Sequence, residues 1–176
     1  MSRRCVILTG MMGAGKTDGG ELLAEQLGYE FLDTDNLIKG KAGKPITKIF
    51  KEDGEAAFRS MENEVIQSLE GEQEKVIATG GGAVVNPDNR RVLYSLGHVV
   101  YLKASARELY LRVKNDTGRP LLQSDDPKGT IQKLLEERED AYEKADIVID
   151  TELLNVDEVV DKIIDEMAKR TVETNM

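Results

Sequence analysis

Apolar positions along the chain follow two alternating patterns. Five short runs, Cys5–Thr9, Glu30–Asp33, Val76–Thr79, His98–Leu102 and Ile147–Ile149, are dense in Val, Ile and Leu. They lack strict polar alternation, as strands covered on both faces do. Between them apolar residues recur at helical spacing: Lys16–Leu27, Leu37–Lys41, Ile46–Lys51, Gly54–Leu69, Pro87–Leu96, Ala106–Lys114 and Lys128–Lys144. A last helix, Val156–Arg170, carries Val159, Ile163, Ile164 and Met167 on one face. Strand–helix alternation of this kind predicts an α/β domain with a parallel sheet and helices on both faces. Asn115–Gly129, with Gly, Pro and Asp between two helices, reads as a flexible stretch, and Thr171–Met176 as a frayed tail.

Composition narrows the picture. The 176 residues fit one domain, residues 1–170, followed by the tail 171–176, and 40% apolar content suffices for a core. The 33 acidic against 24 basic residues give a net charge of −9. Such a surface does not attract nucleic acid or an anionic membrane as its main partner. The single cysteine, Cys5, excludes an intrachain disulfide. No signal peptide or membrane span is legible, so a cytoplasmic location is expected.

The chemistry begins at Gly10-Met11-Met12-Gly13-Ala14-Gly15-Lys16-Thr17, which matches the phosphate-loop pattern between a strand and a helix. Gly residues let successive N–H groups turn inward around phosphate oxygens, and the following helix adds its positive end. Gly13, Ala14, Gly15, Lys16 and Thr17 are therefore nucleotide-binding candidates, with Lys16 on the β and γ phosphates and Thr17 on Mg²⁺. Asp18, Gly19 and Gly20 then open the helix. Gly20 suits a close-packing position, and Gly19 has no account.

At the end of the second strand stands Phe31-Leu32-Asp33-Thr34-Asp35. Two acids at i, i+2 in an extended chain face the same way, here towards the cleft. One can hold Mg²⁺ and the other can accept a hydroxyl proton. Downstream, Arg59 and Glu62 are one helical turn apart and can pair, orienting a guanidinium for a carboxylate. Gly80, Gly81 and Gly82 close the third strand and permit ligand contact with backbone. Arg119 in Gly118-Arg119-Pro120-Leu121-Leu122 reads as a lid arginine, and Arg138 lies on the helix after it. His98, Cys5 and the pair Met11-Met12 are read as structural residues.

Together these segments resemble the shikimate kinase family, over Arg4 to about Ile164 and in the family's order. The resemblance rests on the phosphate loop, Leu32-Asp33-Thr34-Asp35, the stretch from Phe50 through Gly54, Glu55, Phe58 and Arg59 to Glu62, the triple glycine, and Arg119-Pro120-Leu121-Leu122. It implies a three-layer α/β/α P-loop fold, with a five-stranded parallel sheet of order 2-3-1-4-5 and a mobile lid at 113–127. The segment 33–62 would bind substrate. Shikimate would be phosphorylated on its 3-hydroxyl by ATP, with Mg²⁺ as cofactor. Lys16, Asp35 and Arg119 would be catalytic, and Thr17 and Asp33 would serve the metal. Arg59, Arg138, Gly80, Gly81 and Gly82 would hold shikimate above Phe50 and Phe58, with Asp35 on its hydroxyls. Arg112 would stack on adenine beside Arg119. A monomer is expected. The chain departs from the family at Asp18-Gly19, where a hydroxyl and a branched residue are usual, and at Glu152–Val156, where Arg and Pro are common. The competing readings are a gluconate-type small-metabolite kinase and a catalytically silent P-loop module.

Overall fold

The computed structural model describes residues 4–174. Five strands form one parallel sheet: β1 (Cys5–Thr9), β2 (Glu30–Asp33), β3 (Lys75–Ala78), β4 (Gly97–Lys103) and β5 (Ile147–Asp150). Their spatial order is β2-β3-β1-β4-β5. Register is set by Val6 beside Val76 and His98, and Leu8 beside Ala78 and Val100. The order reverses at β1, whose neighbours β3 and β4 lie on opposite sides. In parallel sheets that reversal opens a ligand crevice at the carboxyl ends of the strands.

Among the described residues eight α-helices surround the sheet: α1 (Lys16–Leu27), α2 (Thr34–Ala42), α3 (Ile46–Glu52), α4 (Glu55–Ser68), α5 (Pro87–Leu96), α6 (Ala106–Val113), α7 (Pro127–Tyr142) and α8 (Val156–Thr174). α1 packs over β3 and against α8, while α5 packs over β1 and β4. All five β1 residues are therefore buried, as are Val99 to Leu102 of β4. The apolar core runs through these strands. A second, smaller apolar cluster joins α2, α3 and α4 through Ile38, Ile49, Phe58 and Val65. It gives the segment after β2 a support of its own.

Four expectations need correction. β5 is an edge strand, and its burial alternates, with Val148 and Asp150 exposed. An edge strand is covered on one face and needs apolar residues only there. α2 begins at Thr34, three residues early, because the Asp33 carboxylate accepts from the N–H groups of Asp35 and Asn36 and caps it. The expected flexible stretch to Gly129 overruns α7, which starts at Pro127 where Asp126 caps the Gly129 N–H at 3.0 Å. The expected tail at 171–176 is helix through Thr174, and the Thr171 hydroxyl bonds the Met167 carbonyl at 3.0 Å. Asn175 and Met176 lie outside the described residues.

Candidate active site

The phosphate loop connects β1 to α1. Gly13 (φ 81°) and Gly15 (φ 92°) take left-handed conformations that a side chain would strain. Gly15 caps α1 without any side-chain bond, so first-turn N–H groups stay open to an anion. Lys16 lies along this loop and donates from Nζ to the carbonyls of Gly10 (2.5 Å) and Met11 (3.0 Å). Burial pushes its pKa down to about 7; Asp35 and Asp33 oppose that, while Arg119 and Arg138 reinforce it. Gly20, behind the loop, is packed against the Phe31 ring, where a Cβ would approach to 2.5 Å. At Gly19 a Cβ would meet nothing within 4 Å, and nothing in the structure explains that glycine.

Asp33 has two jobs. Its Oδ1 caps α2 through the N–H of Asp35 at 2.8 Å, and its Oδ2 accepts from the Thr17 hydroxyl at 3.3 Å. The second oxygen and Thr17 form a pair of hard oxygen donors beside the phosphate loop. Asp35 follows in the first turn of α2. Extended i, i+2 geometry therefore does not bring the two acids together; the helix start does. Burial, then the charge of Asp33, raises the Asp35 pKa, and Lys16 works against both. One Asp35 oxygen, Oδ1, is buried and has no hydrogen-bond partner among the described residues.

The triple glycine forms an arch after β3, and each of its members is crowded by a different functional group. A Cβ on Gly80 would lie 2.8 Å from Glu62 Oε2 and 3.1 Å from Asp35 Oδ1. On Gly81 it would lie 2.9 Å from the Arg138 guanidinium, and on Gly82 2.6 Å from that of Arg59. Two guanidiniums thus rest on adjacent residues of one backbone arch. Arg59 is held by Glu62 at 3.0 Å and by Glu55 at 3.4 Å, and lies over the Phe58 ring at 5.2 Å. Glu62 is only 1% exposed, and burial raises its pKa against the pull of Arg59. Phe58 is itself buried beneath Phe50, with centroids 4.9 Å apart, so Phe50 supplies most of the exposed ring surface. Arg138 is buried, and among the described residues no carboxylate pairs with it; its nearest bond is to Met11 Sδ at 3.7 Å.

Two further arginines close the nucleotide end. Arg112 bonds Glu108 at 3.0 Å, the Gly13 carbonyl at 3.2 Å and the Thr151 hydroxyl at 3.2 Å. It therefore ties the phosphate loop to the loop after β5. Arg119, between α6 and α7, is held by Asp116 at 2.8 Å and remains partly exposed. Asp18 is exposed at the same end.

All candidate residues open onto a single cleft of about 1590 Å³. That exceeds the roughly 300–1,000 Å³ of a pocket for one small ligand. Lys16, Arg119, Arg59 and Arg138 line it, with Asp33, Asp35 and Glu62 between them. Two residues were not singled out from sequence, and a third was read differently. Thr34 is buried and accepts the Gly80 N–H at 3.1 Å, joining the start of α2 to the arch. Tyr142 is buried and donates to the Gly81 carbonyl at 2.5 Å. Met11 was read as loop packing, yet it also touches Arg138. A Tyr one helical turn after Arg138 was the available signal for the second; Thr34 sat unremarked inside its motif.

The chain is similar to known proteins over nearly its whole length. A family model described as shikimate kinase matches residues 12–168. A shikimate kinase of Geobacter sulfurreducens is 48% identical over 160 residues, covering 91% of this chain and 88% of that protein. One from Thermodesulfovibrio yellowstonii is 44% identical over 161 residues, covering 92% and 93%. Among solved structures, a shikimate kinase from Acinetobacter baumannii in complex with shikimate superposes with a TM-score of 0.92 at 38% identity, over 95% of this chain and 94% of that one.

Proposed function

The chain belongs to the shikimate kinase family, and from that membership we propose how its own residues carry out phosphoryl transfer from ATP to shikimate. The observation that carries the assignment is the pair of guanidiniums on Gly81 and Gly82, in the same cleft as the phosphate loop. Arg59 and Arg138 clamp the shikimate carboxylate in bidentate fashion. Gly80, Gly81 and Gly82 line the ring pocket, and Phe50 backs it. With the carboxylate fixed, the 3-hydroxyl faces Asp35 and the γ-phosphate. The hydroxyl oxygen bonds to the γ-phosphorus as the bond to the bridging β–γ oxygen breaks. ADP leaves, and the hydroxyl proton passes to Asp35, whose raised pKa suits a base. Lys16 and Arg119 neutralise the equatorial and leaving oxygens. Arg112, flattened by its bonds to Glu108, Gly13 and Thr151, offers a planar face for adenine.

The cofactor we assign is Mg²⁺. The donor set fits it: the Thr17 hydroxyl and the one Asp33 oxygen not used in capping α2 are hard ligands, few enough to leave room for phosphate and water. When bound, Mg²⁺ would supply positive charge that offsets the charge of the phosphates. Residues 113–127 act as the lid, carrying Arg119 onto the phosphates, and residues 33–62 form the acceptor region. Among the described residues no helix is long and apolar enough to cross a membrane. We further propose a monomeric cytoplasmic enzyme whose partner is its small-molecule substrate; the acidic surface disfavours nucleic acid and anionic membrane.

ADP release in a coupled assay tests the reading. It should require both MgATP and shikimate, with gluconate no better than no acceptor. Arg59→Ala should raise the KM for shikimate at least about tenfold and leave that for ATP nearly unchanged. Equal loss of both affinities would contradict the assignment.

A further inference from the structure

Arg138 presents an unusual problem of positioning. A buried guanidinium is normally oriented by a carboxylate, and Arg59 has two, Glu55 and Glu62. Arg138 has none among the described residues. What lies near it instead is a thioether, Met11 Sδ at 3.7 Å, and the hydroxyl of Tyr142 one turn further along α7, which shares one face of Gly81 with the guanidinium: a Cβ there would lie 2.9 Å from Arg138 and 3.6 Å from the Tyr142 hydroxyl. Met11 contributes only a weak acceptor. The Tyr142 hydroxyl is placed differently. Its proton goes to the Gly81 carbonyl at 2.5 Å, which leaves its oxygen lone pairs free to face Arg138. Its ring is buried and stacked on Tyr101 of β4, centroids 4.9 Å apart, so the hydroxyl cannot swing.

We propose that Tyr142 is a positioning residue for acceptor binding, which fixes the Arg138 guanidinium and the Gly81 peptide in one geometry. The proposal rests on the reading of Arg138 and the glycine arch as the carboxylate clamp. Tyr142 O–H donates to the Gly81 carbonyl, and a small turn of the guanidinium would complete the relay from Arg138 N–H to the Tyr142 oxygen. Each bond polarises the next in a site of low dielectric. A neutral acceptor has an advantage over a carboxylate at this position. A carboxylate partner would cancel the charge that must meet the shikimate carboxylate; a phenol orients the guanidinium and leaves its charge intact. Arg59, already neutralised in part by two acids, supplies direction, and Arg138 supplies most of the net attraction.

Calorimetric titration of Tyr142→Phe, Arg138→Lys and the double variant, with shikimate and with MgATP separately, tests the idea. Tyr142→Phe keeps the ring and its stack. It should weaken shikimate binding about tenfold, the scale of a lost bond to a charged group, with MgATP affinity within about twofold of wild type. In the Arg138→Lys background the same change should add no more than about twofold, because the planar group it orients is gone. Unchanged shikimate affinity in Tyr142→Phe, an equal loss for both ligands, or a full tenfold effect retained on Arg138→Lys would each overturn the proposal. If Arg138→Lys alone leaves shikimate binding unaltered, the clamp reading itself fails and takes the proposal with it.

Discussion

Lys16 donates to two carbonyls of its own loop, and burial loosens its hold on a proton until its pKa is about 7. The groups that face it are Asp33 and Asp35 on the β2–α2 side, Arg119 from the lid segment and Arg138 from α7. A triphosphate in the loop would reverse the balance and charge the lysine fully. The sign follows directly. Below about pH 7 the free enzyme already carries the ammonium, and binding changes nothing; above it the free lysine is largely neutral and must take up a proton on binding. Calorimetry of MgATP binding in buffers of different ionisation enthalpy should therefore show uptake approaching one proton near pH 8.5 and none of this origin in Lys16→Met. Uptake that is the same in both would show that Lys16 is not the group. Lys16 and Thr17 were legible in the sequence from the phosphate-loop spacing, and Arg59 from its helical pairing with Glu62 together with the family resemblance. Tyr142 and Thr34 were not, since their roles depend on where the Gly80–Gly81 arch passes, a tertiary fact with no local signature.

Elements position these residues, and the sequence showed their centres better than their ends. α5 and α6 start where the apolar spacing placed them, and the structure adds the reason: the Asn86 and Ser105 side chains cap them. The start of α2 was harder, because Asp33 is at once the last strand residue and the cap. Its side chain sets both the helix and the direction of Asp35. The glycine arch is equally exacting: a methyl group on Gly82 would lie 2.6 Å from Arg59. Gly82→Ala should raise the KM for shikimate about tenfold or more by displacing that guanidinium, while the KM for ATP and the melting temperature stay close to wild type. Loss of ATP affinity to the same extent would argue that the arch is merely structural. In the proposed lid segment, Asp116 holds Arg119 at 2.8 Å, and closure onto the phosphates would require its release. Arg119→Ala should lower kcat about 10²-fold, the scale of one transition-state donor. Hydrogen exchange across 119–123 should slow most when both substrates are present; exchange indifferent to ligands would count against lid closure.

At the scale of the molecule, a chain of net charge −9 gathers Lys16, Arg59, Arg119 and Arg138 along one cleft. The acidic exterior disfavours anions elsewhere, and the cleft walls focus the positive field inward. Rising salt should accordingly lower kcat/KM for shikimate, and more steeply in wild type than in Arg138→Lys only if the geometry, not the charge, is what salt disturbs; equal slopes are expected, since both variants carry the same charge. The sheet order and the α/β architecture followed from the family resemblance and the strand–helix alternation, and the edge character of β5 did not, because three apolar residues in a row look alike whether one face or two are covered. In the proposed reaction one cavity holds both substrates in line. A crystal structure with shikimate and a non-hydrolysable ATP analogue tests it most directly. The account predicts the shikimate carboxylate between Arg59 and Arg138, with one hydroxyl within hydrogen-bond reach of Asp35 and directed at the γ-phosphorus. A carboxylate bound away from both arginines, or a ring turned so that no hydroxyl meets Asp35, would contradict it.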